Sequence, residues 1–203
     1  YPVSTIDLNR LAVELRDLEP DLILGAGRFE EDLAFARALR KVRLKPRAVA
    51  LVAAGVSAFG EALGKSAEGF LGPSQWEVEG GHRPDLGLGS EEFADRLNAR
   101  LGGSADYPGA QAYAACLIAA RCLELAGRGN PARLREAAST LRCSTLLGPF
   151  RIDPTTGRPL GARAPLLVQW KRGRRAVVWS PAEGVLGPYV SFSRHQSSEK
   201  ETR

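Results

Sequence analysis

The sequence predicts an α/β fold: a parallel, Rossmann-like sheet in the first third, helices in the middle and antiparallel strands near the end. Three observations carry that prediction. Amphipathic and β-type runs alternate from Leu8 to Trp76 with loops of only a few residues, the signature of right-handed crossover units on a parallel sheet. Three helical patterns then follow one another between Ser90 and Leu141 with no strand between them. Finally, short β-rich runs within Leu147–Gly157, Leu166–Trp170 and Ala176–Pro181 are separated by turn signals, a change of period that marks a change of layer.

Taken in order, Leu8, Leu11, Leu15 and Leu18 fall on one helical face, and Pro20 stops that helix just before Asp21-Leu-Ile-Leu24, a short buried-type strand. Gly25-Ala-Gly27 is the turn. Phe29, Leu33, Ala36 and Leu39 mark a second amphipathic helix, Arg47–Val52 a second strand, Ser57–Leu63 a short helix, and Gly69-Phe-Leu71 a third strand that ends at Pro73-Ser-Gln-Trp76. The Gly-rich stretch Glu77–Gly89, containing His82 and Pro84, is long enough to carry the chain from one layer or lobe to another. Helices are expected over Ser90–Leu101, Tyr107–Ala126 and Pro131–Leu141, the last with Asn130 at its cap and proline in its first turn. Asp153-Pro-Thr-Thr-Gly157 and Lys171-Arg-Gly-Arg174 supply the turns between the late strands, and a polar tail past Pro181 is expected to fray.

Composition excludes several classes. At 203 residues, 44% hydrophobic and 25% charged, the chain can bury one large core or two small ones. Its longest apolar-rich stretch, Ala110–Ala126, is interrupted by Arg121 and Glu124 and reads as a buried helix, not a membrane span. A chain that opens on Tyr1 and contains no Met reads as a processed product, an engineered piece or a fragment, so the lack of a visible export signal says nothing about a parent protein. The net charge of +5 invites a nucleic-acid reading, which its distribution opposes. Six basic residues in Arg37–Arg47 close a helix that opens on Glu30-Glu31-Asp32, complementing the helix dipole. Four more in Lys171–Arg175 sit in a hairpin turn with no aromatic interleaved, so no nucleic-acid partner is expected. Cys116 and Cys122, about 9 Å apart along one helix, and Cys143 read as apolar core thiols.

No catalytic constellation emerges. Gly25-Ala-Gly27 follows a strand and opens a helix, but Glu30 stands where a dinucleotide fingerprint needs its third glycine. Gly55-Val-Ser57-Ala-Phe59 lacks the second glycine of a nucleophile elbow, and His82 and His195 lie in a loop and a tail. No phosphate-binding loop, metal-ligand spacing or cofactor motif is present, and Glu30, Glu31 and Asp32 read as first-turn helix acids. Architecture points instead to ligand binding. In open parallel sheets ligands sit outside the carboxyl ends of the strands, here Gly25–Phe29 and Ala53–Ser57, where Arg28 offers an anion contact and Phe29 an apolar wall.

The runs Glu19–Gly27, Leu63–Trp76, Ala112–Ala115, and Gly148–Asp153 through Val168-Gln-Trp170 to Val177-Val-Trp179 resemble the type I periplasmic binding proteins. The resemblance is to the branch serving branched-chain amino acid and amide uptake by ABC transporters, and it covers about residue 5 to residue 181 in the family's order. It implies a periplasmic-binding-protein-like I fold of two α/β lobes with a small ligand clamped between them by hinge closure, working without a cofactor and without catalysis. It implies a periplasmic or extracellular, optionally lipid-anchored, location and a membrane ABC permease as partner. Residues 1–76 then correspond to a second-lobe segment, 77–89 to a crossover loop, 90–145 to first-lobe helices, 146–181 to return strands and 182–203 to the tail.

Nothing here resembles the family's N-terminal stretch, so the two-lobed fold is expected to be incomplete and the chain alone to bind ligand weakly or not at all. Carried over residue by residue, the ligand contacts are Gly27, Arg28, Phe29, Ala54, Gly55, Val56, Tyr107, Ala110 and Gln111. Between Ala53 and Ser57 there is no acidic side chain to meet a ligand ammonium, which leaves amides, urea-like ligands and carboxylates open. Trp76 is read as core packing. Helices over residues 90–141 are expected to leave apolar faces for self-association. The runner-up is a ligand-sensing regulatory or receptor domain of the same fold, and a carboxylate-based hydrolase is a weaker third.

Overall fold

The computed structural model describes residues 7–42, 44–80, 83–127, 130–161, 164–187 and 192. They divide into two compact units, one within Tyr1–Ser74 and Pro165–Arg203, the other within Gln75–Ala164.

The first unit begins with helix α1 (Leu8–Leu18), whose first-turn amides of Asn9 and Arg10 donate to the Asp7 carboxylate. It ends at Glu19, which adopts a left-handed conformation with φ 49°. Strand β1 (Leu22–Gly25), helix α2 (Phe29–Lys41), strand β2 (Ala48–Leu51), a 3-10 turn (Val52–Gly55), helix α3 (Ser57–Leu63) and strand β3 (Phe70–Ser74) follow. β1, β2 and β3 pair in parallel, with Ile23 beside Val49 and Val49 beside Phe70. These residues point into one core with Leu33, Ala36 and Leu39 of α2 and Phe59 of α3, so the predicted apolar face of α2 is the face that is buried. Leu8, Leu11 and Leu15 pack on this core as the spacing predicts, whereas Leu18, at the last turn of α1, is exposed and Ala12 takes the buried place.

The second unit carries a 3-10 turn (Val78–Gly80) and helices α4 (Ser90–Leu101), α5 (Tyr107–Ala126) and α6 (Pro131–Thr140). A two-stranded antiparallel ribbon follows, β4 (Cys143–Thr145) with β5 (Gly148–Phe150). Trp76 is buried here, edge-on to Phe93 at 5.6 Å between ring centroids, with its indole N–H donating to Ser90 Oγ at 3.0 Å. The loop before α4 is tied down by Asp85, whose N–H donates to Ser144 Oγ at 3.0 Å and whose carboxylate accepts the Ser144 N–H at 2.7 Å. Of the three cysteines, Cys122 is buried and Cys143 partly so, but Cys116 is exposed on α5 because its side chain falls on the helix face opposite Ala110 and Ala114.

The chain returns to the first unit with β6 (Leu166–Lys171), β7 (Arg174–Ser180) and β8 (Gly184–Val185). β6 pairs antiparallel with β3, giving one continuous mixed sheet in the order β1-β2-β3-β6-β7-β8. The strands that rejoin the sheet therefore start at Leu166, and Gly148–Phe150 instead pairs back on Cys143–Thr145. Past Pro181, where the sequence suggests only a fraying tail, β8 adds an edge strand and Phe192 is fully buried against Phe70. Residues 188–191 and 193–203 of that tail, with His195, and His82 lie outside the described residues.

Candidate functional site

Parallel strands deliver their carboxyl ends to the same side, so the turns after β1 and β2 lie side by side by construction. What couples them is Asp32, in the first turn of α2. Its Oδ1 accepts the Gly27 N–H at 3.0 Å and its Oδ2 accepts the Ala53 N–H at 2.9 Å, so one carboxylate spans both turns. Burial pushes the Asp32 carboxyl up from its ordinary value of 3.8, and the N–H groups of Ala53, Gly27 and Val52 oppose that by stabilising the anion, with neighbouring Glu31 adding a smaller upward push.

The turn Val52–Gly55 is held from two further sides. The Trp170 indole N–H of β6 donates to Ala54 O at 2.8 Å, and Arg175 Nη1 of β7 donates to Gly55 O at 3.2 Å and Ser57 Oγ at 3.1 Å. Its floor is Gly72 of β3. A Cβ on Gly72 would lie 2.3 Å from Gly55 N, and one on Gly55 would lie 1.9 Å from Pro73 O, so the two backbones approach as closely as only glycine permits.

The predicted contact residues divide accordingly. At the first turn Gly27 is half-buried, Arg28 exposed, and Phe29 packs its ring partly on the core. At the second turn Ala54 and Gly55 are buried and Val56 half-exposed, so Ala54 and Gly55 shape the turn through their backbone and Val56 offers side-chain surface. Ala26 and Val52 are exposed at the same edge. Tyr107, Ala110 and Gln111 lie in the first turns of α5 in the second unit, where Ala110 is fully buried and the Gln111 side-chain amide donates to Gln75.

Sequence reasoning missed three residues that build this edge. Asp32 reads as a first-turn helix acid, yet its spacing from Phe29, Ala36 and Leu39 places it on the buried face of α2, and that spacing is the available signal. Arg175 reads as part of a solvated basic turn but is half-buried beneath the second turn. Trp170 carried the family resemblance without an assigned role. Among the described residues the edge presents the cation Arg28, apolar groups and the Glu31 carboxylate, which accepts the Arg28 N–H at 3.0 Å. Its buried acid is occupied by backbone amides, and among the described residues no cluster of three or more His, Cys, Asp or Glu could hold a metal ion.

Solved structures share this fold at low sequence identity. A leucine-binding protein from Thermotoga maritima is 18% identical with a TM-score of 0.71, over 91% of this chain and 50% of its own. A leucine-, isoleucine-, valine-, threonine- and alanine-binding protein from Brucella ovis, in a closed conformation, is 14% identical with a TM-score of 0.68, over 93% of this chain and 50% of its own. An extracellular ligand-binding receptor from Rhodopseudomonas palustris is 18% identical with a TM-score of 0.66, over 87% of this chain and 52% of its own. The chain thus spans about half the length of the solved proteins it matches. Residues 1–175 match the family described as periplasmic binding protein, a run that holds the second unit, the greater part of the first and both joined turns, with Asp32, Trp170 and Arg175. By that match the chain belongs to the periplasmic binding protein family.

Proposed function

We propose that this chain is a substrate-binding component of an ABC importer for branched-chain amino acids, amides or similar small solutes, acting without catalysis, by hinge closure, outside the cytoplasmic membrane. The observation that carries the reading is the pair of strand-end turns joined by Asp32 in a member of this family. Gly27, Arg28, Phe29, Ala54, Gly55 and Val56 form its ligand edge, directly or through backbone shape. Tyr107 and Gln111 are proposed as further contacts from the second unit, with Ala110 acting through packing. Comparison with leucine-binding proteins and a ligand-binding receptor supports a small-molecule ligand, and a membrane permease follows as partner if that ligand is cargo. Among the described residues no helix is long and apolar enough to cross a membrane.

The chain spans half the length of its structural matches, so its own affinity is expected to be weak, roughly millimolar. Chemical-shift perturbation suits that range. Titration of the isotope-labelled chain with L-leucine, L-valine, small amides and 4-methylpentanoate is expected to move resonances of residues 26–29 and 52–56, with Arg28→Ala reducing the shifts from carboxylate ligands. Perturbation confined to other surfaces, or micromolar affinity of this chain alone for any of these ligands, overturns the reading.

A further inference from the structure

We infer that Asp32, Trp170 and Arg175 are positioning residues that lock the turn after β2 into its working shape before any ligand arrives. The inference rests on the solute-binding reading for why that turn matters, but the lock is a property of the free chain. Three successive residues each surrender a backbone polar group to a side chain from a different element. The Ala53 N–H goes to Asp32 of α2, the Ala54 carbonyl to Trp170 of β6 and the Gly55 carbonyl to Arg175 of β7.

The chemistry of each partner is one-directional. An ionised carboxylate only accepts, whereas an indole N–H and a guanidinium only donate, so none can invert its bond to suit another backbone conformation. Asp32 and Trp170 are both buried, where hydrogen bonds are electrostatically stronger and unpaired groups costlier than in water. The contact of Gly55 with Gly72 closes the remaining side. Because Asp32 also holds Gly27, the same lock sets the spacing between the two turns. A turn fixed this way loses little conformational freedom when a solute binds, so more of each contact becomes affinity. With its carbonyls at Ala54 and Gly55 engaged inward, it presents the side chains of Val52 and Val56, so its share of the ligand is an apolar group.

The test needs no ligand. Amide hydrogen exchange and carbonyl chemical shifts are measured residue by residue on the 203-residue chain and on Asp32→Asn, Trp170→Phe and Arg175→Met. Asparagine has one acceptor oxygen, so Asp32→Asn is expected to speed exchange at Ala53 or Gly27 by about tenfold or more while Val49 and Leu39 keep their protection. Trp170→Phe keeps an aromatic ring in the core and is expected to shift the Ala54 carbonyl alone, and Arg175→Met the Gly55 carbonyl. Uniform acceleration across the unit, or failure of all three variants to fold, marks ordinary core residues and overturns the inference, as does unchanged exchange and shift at residues 27 and 53–55. Failure of the solute titration leaves these readouts where they are, so the two readings fall separately.

Discussion

Gly60 shows how little latitude single residues have in this fold. A Cβ built there would lie 2.0 Å from Trp170 Cη2 and 2.1 Å from Cζ3, and the ring cannot retreat without dropping its bond to Ala54. Gly60→Ala is therefore expected to destabilise the chain by about 1–3 kcal/mol although alanine favours helices, a result read from urea unfolding midpoints. Asp32 contributes to the pH dependence, against Asp153, whose carboxyl the Thr156 and Thr155 N–H groups hold below its ordinary value. The Asp32 carboxyl is raised above its ordinary 3.8, so the folded state holds that proton more tightly than the unfolded state does. The stability this contributes is full below the unfolded value and is lost as pH rises through the folded one. The unfolding midpoint of the native chain relative to that of Asp32→Asn should accordingly fall as pH rises across the mildly acidic range.

At the scale of elements, the β6–β7 hairpin and the end of the chain set the frame around the turns. The hairpin turns through Arg172 and Gly173, both with positive φ, 52° and 78°, the pairing expected of a tight type I′ turn. Arginine is strained there, so Arg172→Asn is expected to raise stability by up to about 1 kcal/mol, whereas Gly173→Val should lower it by about 1–2 kcal/mol, both measurable by thermal unfolding. At the opposite edge of α2, Arg40 lies over the rings of Phe70 and Phe192, 4.8 and 4.0 Å from their centroids. Its side chain also donates to the carbonyls of Ser66 and Glu68. Burial lowers its guanidinium to about 10, with Glu68 opposing, so it is still a cation at neutral pH. Phe192→Ala removes a buried ring from this stack and is expected to cost about 3–5 kcal/mol in denaturant unfolding, which would show that the chain beyond β8 belongs to the folded unit.

Over the whole molecule, the described residues form one core in the first unit and two in the second, around Trp76 and around Cys122, and apolar surface is left uncovered in both units. β1 is the edge strand at the parallel end of the mixed sheet, and its Leu22 and Leu24 are 54% and 73% exposed. In the second unit Leu123 and Leu125 of α5 are also exposed. Association that grows with concentration is the expected outcome in light scattering, and Leu22→Lys with Leu24→Lys should diminish it if the sheet edge is responsible. Diminution by Leu123→Lys instead would assign it to α5.

Most of the architecture was legible in the chain because it is written in local rules. Period and punctuation placed α1 to α6 and the three parallel strands, since caps, prolines and apolar spacing act within a few residues. The candidate edge was legible only as an address, the carboxyl ends of β1 and β2, because a parallel sheet sends them to one side whatever their side chains. The manner of its construction was not legible. Asp32 reaches Ala53 across 21 residues, and Trp170 and Arg175 reach Ala54 and Gly55 across 116 and 120. Contacts at such separations leave no periodic trace. Only folding, which lays β6 beside β3 and α2 against β2, decides that a first-turn acid and a hairpin arginine become the supports of one turn.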